Sequence, residues 1–134
     1  LREIVIFEAN KKHTWNLGDK YYMDNHRMWD RMMEYMTDRK RVYRFTDWGI
    51  SKGMGGICPT LLAAMGSRFE RIPFFYDNYS VRLMTPRECA RIQGFPEEYL
   101  LPTENEKQVY KQLGNSVCVT VVDRIAKNIV KALD

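Results

Sequence analysis

The chain has 134 residues, of which 45% are hydrophobic and 13% aromatic, and a net charge of +4. That length suits one domain or a piece of a larger one. The composition excludes intrinsic disorder, and no apolar run approaches the roughly 18 residues of a membrane-spanning helix. No basic segment followed by an apolar one opens the sequence, so secretion is not expected, and Leu1 in place of a methionine suggests a trimmed or partial polypeptide.

In chain order, Ile4-Val5-Ile6-Phe7 reads as a short buried strand and residues 10–19 as polar loop. A helix is predicted from about His26 to Met36, capped by Asp24 or Asn25, with Met28, Trp29, Met32, Met33 and Met36 at helical spacing. That methionine stripe serves either core packing or a partner surface. Arg41 to Phe45 reads as a strand, and the stretch from Trp48 to Met65 is interrupted by glycines before turning apolar. Ile72 to Tyr76 and Tyr79 to Leu83 read as two strands around a two-residue Asp77-Asn78 loop.

From Thr85 onward the chain is predicted helical. Thr85-Pro86-Arg87-Glu88 is a capping box with proline at the first helical position. Gly94 is placed to stop this helix in the left-handed conformation, with Phe95 folding back onto Ala90 and Pro96 preventing continuation. Thr103-Glu104-Asn105-Glu106 repeats the capping-box pattern, and Gly114 is expected to end that second helix. A third helix, capped by Asn115 or Ser116, places Val119, Val122, Ile125, Ala126, Ile129 and Leu133 on one face and Arg124, Lys127 and Lys131 on the other. Such an apolar stripe requires a surface to dock on. A strand-rich first part and a helical end make the fold class α+β.

Cys58, Cys89 and Cys118 are dispersed, and His13 and His26 lie at no ligand spacing from them, so neither a disulfide framework nor a metal site is expected. They read as reduced, buried thiols of a cytosolic protein. Between residues 39 and 71, Arg39, Lys40, Arg41, Arg44, Lys52, Arg68 and Arg71 are opposed only by Asp47 and Glu70, which concentrates all the excess positive charge there. This is either a solvated basic face or a surface that tracks phosphates. Ser51 and Lys52 beside Gly53, Gly55 and Gly56 make a loop that could approach a nucleic acid closely. The phosphate-cradling alternatives fail, because Cys58 stands where either fingerprint needs a further glycine. An ordinary flexible loop stays open. The Gly114-Asn115-Ser116-Val117 corner suits an anion at a helix N-terminus or is a plain turn between helices.

Two stretches also carry a resemblance. Arg82-x-x-Thr85-Pro86-Arg87-Glu88-Cys89-Ala90-Arg91-x-Gln93-Gly94-Phe95-Pro96 is similar to the ninth conserved block of DNA (cytosine-5) methyltransferases, and Tyr110-Lys111-Gln112-Leu113-Gly114-Asn115-Ser116-Val117 to the tenth, in the family's order and separation. Gly56-Ile57-Cys58-Pro59-Thr60-Leu61 resembles the threonine-leucine element of the target recognition domain, and Gly18 to Met23 the segment leading into it. The resemblance implies a Rossmann-like methyltransferase of which residues 1–84 are a partial recognition domain. Residues 85–134 would hold the two blocks and a helix returning to a catalytic domain.

The implied reaction transfers a methyl group from S-adenosylmethionine to C5 of a cytosine flipped out of double-stranded DNA. By the same resemblance, Thr60 contacts the phosphate near the extruded nucleotide, and Leu61 helps to anchor that strand. Asn115, Ser116 and Val117 line the cofactor pocket. Arg82, Thr85, Arg87, Glu88, Arg91, Gly94 and Gly114 organise the small domain, the arginines as partners of internal carboxylates or of phosphates. A bulky change at Gly114 is then expected to weaken cofactor binding and spare DNA contact. The implied setting is the cytoplasm of a prokaryotic or phage host, in a restriction-modification system.

The family's nucleophile is a cysteine that follows proline, whereas Cys58-Pro59 has the reverse order, and its Phe-x-Gly-x-Gly, Glu-Asn-Val and Gln-x-Arg-x-Arg blocks do not occur. No catalytic residue is therefore assigned, and the chain alone is expected to be inactive. Three readings stay open: the end of a longer methyltransferase, the recognition subunit of a split one, and a non-enzymatic DNA-binding module.

Overall fold

Alternating side chains set the sheet. Tyr43 and Phe45 are buried on one face of the strand β1 (Val42–Thr46), while on the other Arg44 and Thr46 are half-exposed and only Val42 is buried. In the computed structural model, which describes residues 19–133 apart from 54, 78 and 103, four strands form an antiparallel sheet in the order β2-β1-β3-β4. The others are β2 (Gly49–Lys52), β3 (Phe74–Tyr76) and β4 (Val81–Leu83). The expected strand at residues 4–7 and loop before Asp19 lie outside the described residues.

The β1–β2 pairing is absent from the sequence reading, which left residues 48–65 as a glycine-interrupted stretch. Register runs from Tyr43 opposite Lys52 to Thr46 opposite Gly49. Of β2 only Ile50 is buried, so this edge strand carries almost no apolar alternation to read. The β3–β4 hairpin has a four-residue connection in place of the expected Asp77-Asn78 loop. The Asp77 carboxylate accepts the main-chain N–H groups of Tyr79 and Ser80 at 2.8 and 2.9 Å, and Asp77 N–H donates to the Ser80 carbonyl at 3.0 Å. An aspartate that satisfies two loop amides holds a wider turn than a two-residue count allows.

The helix α1 spans Trp29–Tyr35, shorter than the expected 26–36, and no side chain caps it. Two successive turns consume its first residues: His26 N–H donates to the Met23 carbonyl, and Trp29 N–H to that of His26, both at 2.8 Å. Met23 is itself tied to the sheet through its N–H and the Val81 carbonyl at 3.0 Å. The methionine stripe is core, with Met32 and Met36 buried and Met28 and Met33 packed against them. Burial of one such side chain stabilises by roughly 1.5–3 kcal/mol.

The helix α2 (Pro86–Ile92) follows its sequence signature closely. Thr85 Oγ1 accepts the Glu88 N–H at 3.2 Å while the Glu88 carboxylate accepts the Thr85 N–H at 2.8 Å. Gly94 stops the helix with φ +82°, and Phe95 N–H returns to the Ala90 carbonyl at 3.0 Å. The helix α3 (Glu106–Asn115) is capped by Asn105, whose side chain accepts the Gln108 N–H at 3.2 Å. The Glu106 carboxylate accepts from Lys20 Nζ at 2.9 Å and from the Tyr21 hydroxyl. Thr103 lies outside the described residues.

Gly114 does not end α3, which runs on to Asn115 with Ser116 as its C-cap. A Cβ at Gly114 would meet the main chain of Leu62 and Ala63, so this glycine serves close approach between α3 and the 3-10 turn Ala63–Gly66. The helix α4 (Val119–Leu133) has no buried residue. A single core of α1, the sheet, α2 and α3 side chains crosses the expected boundary at residues 84 and 85, with Cys89, Ala90, Val109, Tyr110 and Leu113 among its members.

Candidate functional site

The arginines of the 82–96 stretch divide by geometry. Arg82 is fully buried, and its guanidinium meets both Glu88 carboxylate oxygens at 2.7 and 2.8 Å, the Asp77 carboxylate at 3.1 Å and the Leu83 carbonyl at 3.0 Å. It thereby fastens the β3–β4 turn to the first turn of α2, and its guanidinium stacks 4.4 Å from the Phe75 ring centre. A fork-to-fork pair of this kind is strong and directional. Arg91 pairs with the Glu97 carboxylate, and Arg87 donates to the Tyr99 carbonyl at 2.8 Å. All three therefore have internal partners, and Thr85, Glu88 and Gly94 form the capping and stopping geometry around them.

The central basic segment is partly consumed in the same way. Arg41 bonds Asp38 at 2.8 Å and the Gly53 carbonyl at 3.0 Å, Arg44 bonds the Thr60 carbonyl at 2.8 Å, and Arg71 pairs with Asp47. Arg39, Lys40, Lys52 and Arg68 remain exposed. Ser51 and Lys52 lie exposed at the end of β2, and Gly53 prolongs the ladder by donating to the Val42 carbonyl at 3.0 Å. Gly55 and Gly56 are exposed, and a Cβ on either would meet open space. Room for a ligand is thus present around this loop. The Thr60 side chain is exposed, whereas Leu61 is buried in the core and anchors the loop from beneath.

Cys58 is set apart from any nucleophile by its surroundings: burial pushes its thiol up to about 12. Burial likewise raises Cys89 well above the ordinary thiol range. Cys118 differs, since a hydrogen bond from Thr120, with the Val121 N–H, lowers it.

The corner after α3 is organised by the Leu113 carbonyl. It accepts from Ser116 Oγ at 2.7 Å, from Ser116 N–H at 3.3 Å and from Gln93 Nε2 at 3.1 Å. The main-chain carbonyl of Gln93 accepts the Val119 N–H at 2.8 Å, so this residue clamps both sides of the corner. Those bonds occupy N–H groups that were expected to be free for an anion, and α4 starts at Val119 and not at Asn115 or Ser116. Asn115 and Val117 are exposed here, and Ser116 is half-exposed. Gln93 was missed as a positioning residue because its role depends on a carbonyl 20 residues away.

α4 presents Val122, Ile125, Ile129 and Leu133 to solvent, all at least 45% exposed. On the polar side Lys127 pairs with Asp123 at 2.6 Å, the expected spacing of four. No helix among the described residues is long and apolar enough to cross a membrane.

Comparison with known proteins identifies a family for the sequence. The sequence profile of the C-5 cytosine-specific DNA methylase family matches residues 4–131. Type II methyltransferase M.Bsp6I of Bacillus sp. (strain RFL6) is 36% identical over 128 residues, which are 91% of this chain and 41% of that protein. Type II methyltransferase M.DsaV of Dactylococcopsis salina is 30% identical over 97% of this chain and 39% of its own length. Type II methyltransferase M.BanI of Aneurinibacillus aneurinilyticus reaches 52% identity over 48 residues, 36% of this chain and 11% of that protein. The chain thus spans about two-fifths of the relatives it matches most fully. No solved structure matched it. On the family profile and these relatives, the chain belongs to the C-5 cytosine-specific DNA methylase family.

Proposed function

We propose that this chain is the DNA-reading, cofactor-closing part of a DNA (cytosine-5) methyltransferase, and that the methyl transfer itself is performed on a catalytic domain to which α4 docks. The observation that carries this is the bare apolar face of α4, set beside a body whose own core is closed. Four large aliphatic side chains on one stripe are stable in water only at a cost, which a docking surface removes. The matched relatives are more than twice as long as the matched stretch, which leaves room for such a domain in the same polypeptide or a separate one.

Within this reading, double-stranded DNA is bound by the loop of Ser51, Lys52, Gly53, Gly55, Gly56 and Thr60, with Leu61 fixing the loop in the core. Exposed Arg39, Lys40 and Arg68 add phosphate attraction. The exposed Asn115 amide, the Ser116 hydroxyl and the apolar Val117 make a mixed surface that fits one wall of a pocket for S-adenosylmethionine. That cofactor supplies the methyl group when bound. Ser116 and Gln93 hold the wall in place, because both are bonded to the Leu113 carbonyl. No nucleophile is assigned to this chain, and alone it is inactive.

The test is association. Sedimentation of the chain with the catalytic portion should give a stable complex, and Ile125→Asp on the exposed stripe should abolish it while leaving the chain folded. A complex of unchanged affinity in the Ile125→Asp variant would contradict the docking role.

A further inference from the structure

Trp48 sits at the tip of the β1–β2 hairpin, between the paired residues Thr46 and Gly49, and 96% of its surface is exposed. A ring of that size is ordinarily among the more buried side chains of a protein. Here no ring or cation contact holds it among the described residues, and the turn beneath it is fixed. Thr46 Oγ1 donates to the Gly49 carbonyl at 3.0 Å, and Asp47, the other tip residue, is tied back to Arg71. The root of the hairpin is equally firm, since the Phe45 ring packs 4.8 Å from Phe74 and 5.7 Å from His26. The hairpin is therefore a rigid ridge that carries one projecting aromatic.

Beside its root lies an open cleft of about 400 Å³ lined by Arg27, Arg68 and Arg71 with two carboxylates, Asp47 and Glu70. Arg68 has no carboxylate partner among the described residues, and Arg27 has only Glu70 at 3.9 Å. A protein-docking patch would need further apolar neighbours, yet the tip and the strand beyond it offer Thr46, Asp47, Ser51 and Lys52. A single flat ring near the exposed Arg68 and the loosely paired Arg27 matches a partner with a planar π face joined to phosphates.

We propose that Trp48 is a stacking wedge for a nucleobase of opened or distorted DNA, with Arg27 and Arg68 on the adjoining phosphates. This rests on the DNA-reading role proposed above and sharpens it, because it names a residue outside the Ser51–Leu61 loop. Side-chain wedges enter a duplex at steps that are unstacked, so the preference is for an unpaired base over an intact helix.

The experiment titrates the full chain with two mixed-sequence duplexes, one fully paired and one with a single unpaired 2-aminopurine. The wild-type chain prefers the second probe and quenches its fluorescence. Trp48→Ala lowers affinity for that probe by about 5- to 150-fold, the range for one stacked base, and loses the quenching. Its salt dependence is unchanged, and Trp48→Phe retains most of the binding. Arg68→Ala reduces the salt slope by about 1 without loss of quenching. Thermal unfolding of Trp48→Ala matches wild type, since almost all of the side chain is exposed. Wild-type affinity and quenching in Trp48→Ala would overturn the wedge, as would a variant that keeps DNA binding but loses a self-association or protein contact. Failure of the wild-type chain to bind either duplex would instead remove the DNA-reading role on which the wedge rests.

Discussion

The α-carbon of Gly114 lies against the main chain of Leu62: a Cβ added there would stand 2.1 Å from the Leu62 carbonyl carbon and 2.4 Å from the Ala63 nitrogen. The atoms struck are backbone and cannot swing aside. The 114–117 corner is therefore in direct contact with Leu62 and Ala63, the residues that directly follow the proposed DNA-facing Thr60-Leu61 loop. Gly114→Ala should cost about 3 kcal/mol or more, the upper end for overpacking, read as a lower thermal midpoint. DNA binding should fall together with cofactor binding, contrary to the separation that the sequence alone suggests. A variant of wild-type stability would contradict the close approach.

The Arg82–Glu88 pair allows a sharper stability test. Removing one partner leaves the other buried and uncompensated, so Arg82→Ala or Glu88→Ala should each cost about 3–5 kcal/mol in chemical denaturation. The double change Arg82→Ala with Glu88→Ala should cost less than the sum of the singles, because each single already breaks the pair, while the buried Asp77 carboxylate loses Arg82 in both the Arg82 single and the double. Additive losses would show that the pair is not coupled.

Glu106 gives the chain a pH dependence. Its burial raises the carboxyl, but hydrogen bonds from Tyr21 and Lys20 outweigh this and hold it below its ordinary value of 4.5. A depressed acid stabilises the folded state above its unfolded value, and that contribution is lost as pH falls through the folded one. Tyr21→Phe should therefore narrow the difference in unfolding midpoint between pH 7 and pH 3. An unchanged difference would remove Glu106 from the acid response.

Thiol chemistry should single out Cys118. With Cys58 raised to about 12 and Cys89 raised by burial, alkylation of the native chain at neutral pH should modify Cys118 first, as peptide mass mapping would record. Docking of a catalytic domain at the neighbouring corner should slow that reaction. Equal labelling of all three before unfolding would contradict the burial pattern.

DNA binding by the chain should weaken steeply between about 50 and 200 mM salt, because phosphate contacts release counterions. The slope should be smaller than seven basic residues imply, since Arg41, Arg44 and Arg71 are engaged internally. Flat affinity across that range would refute the phosphate-tracking surface.

Sequence reading was most successful where structure is local. The capping box of Thr85 and Glu88, the stop at Gly94 and the core role of Met32 and Met36 follow from residues within one or two turns. It failed where a distant partner decides. Glu106 is met by Tyr21 and Lys20 from 85 and 86 residues away, Gly114 is kept helical and shaped by Leu62, and the corner depends on Gln93. β2 escaped notice because an edge strand with one buried residue lacks a periodic signal. The family resemblance located the proposed ligand-facing stretches, but not the contact between them.

The most direct measurement is transfer of a labelled methyl group from S-adenosylmethionine to DNA by the chain, by the catalytic portion and by the two together. Label at C5 of cytosine only with both present is the predicted result. Transfer by this chain alone, or none from a folded and associated pair, would contradict its assignment as the part that reads DNA and closes the cofactor pocket without reacting.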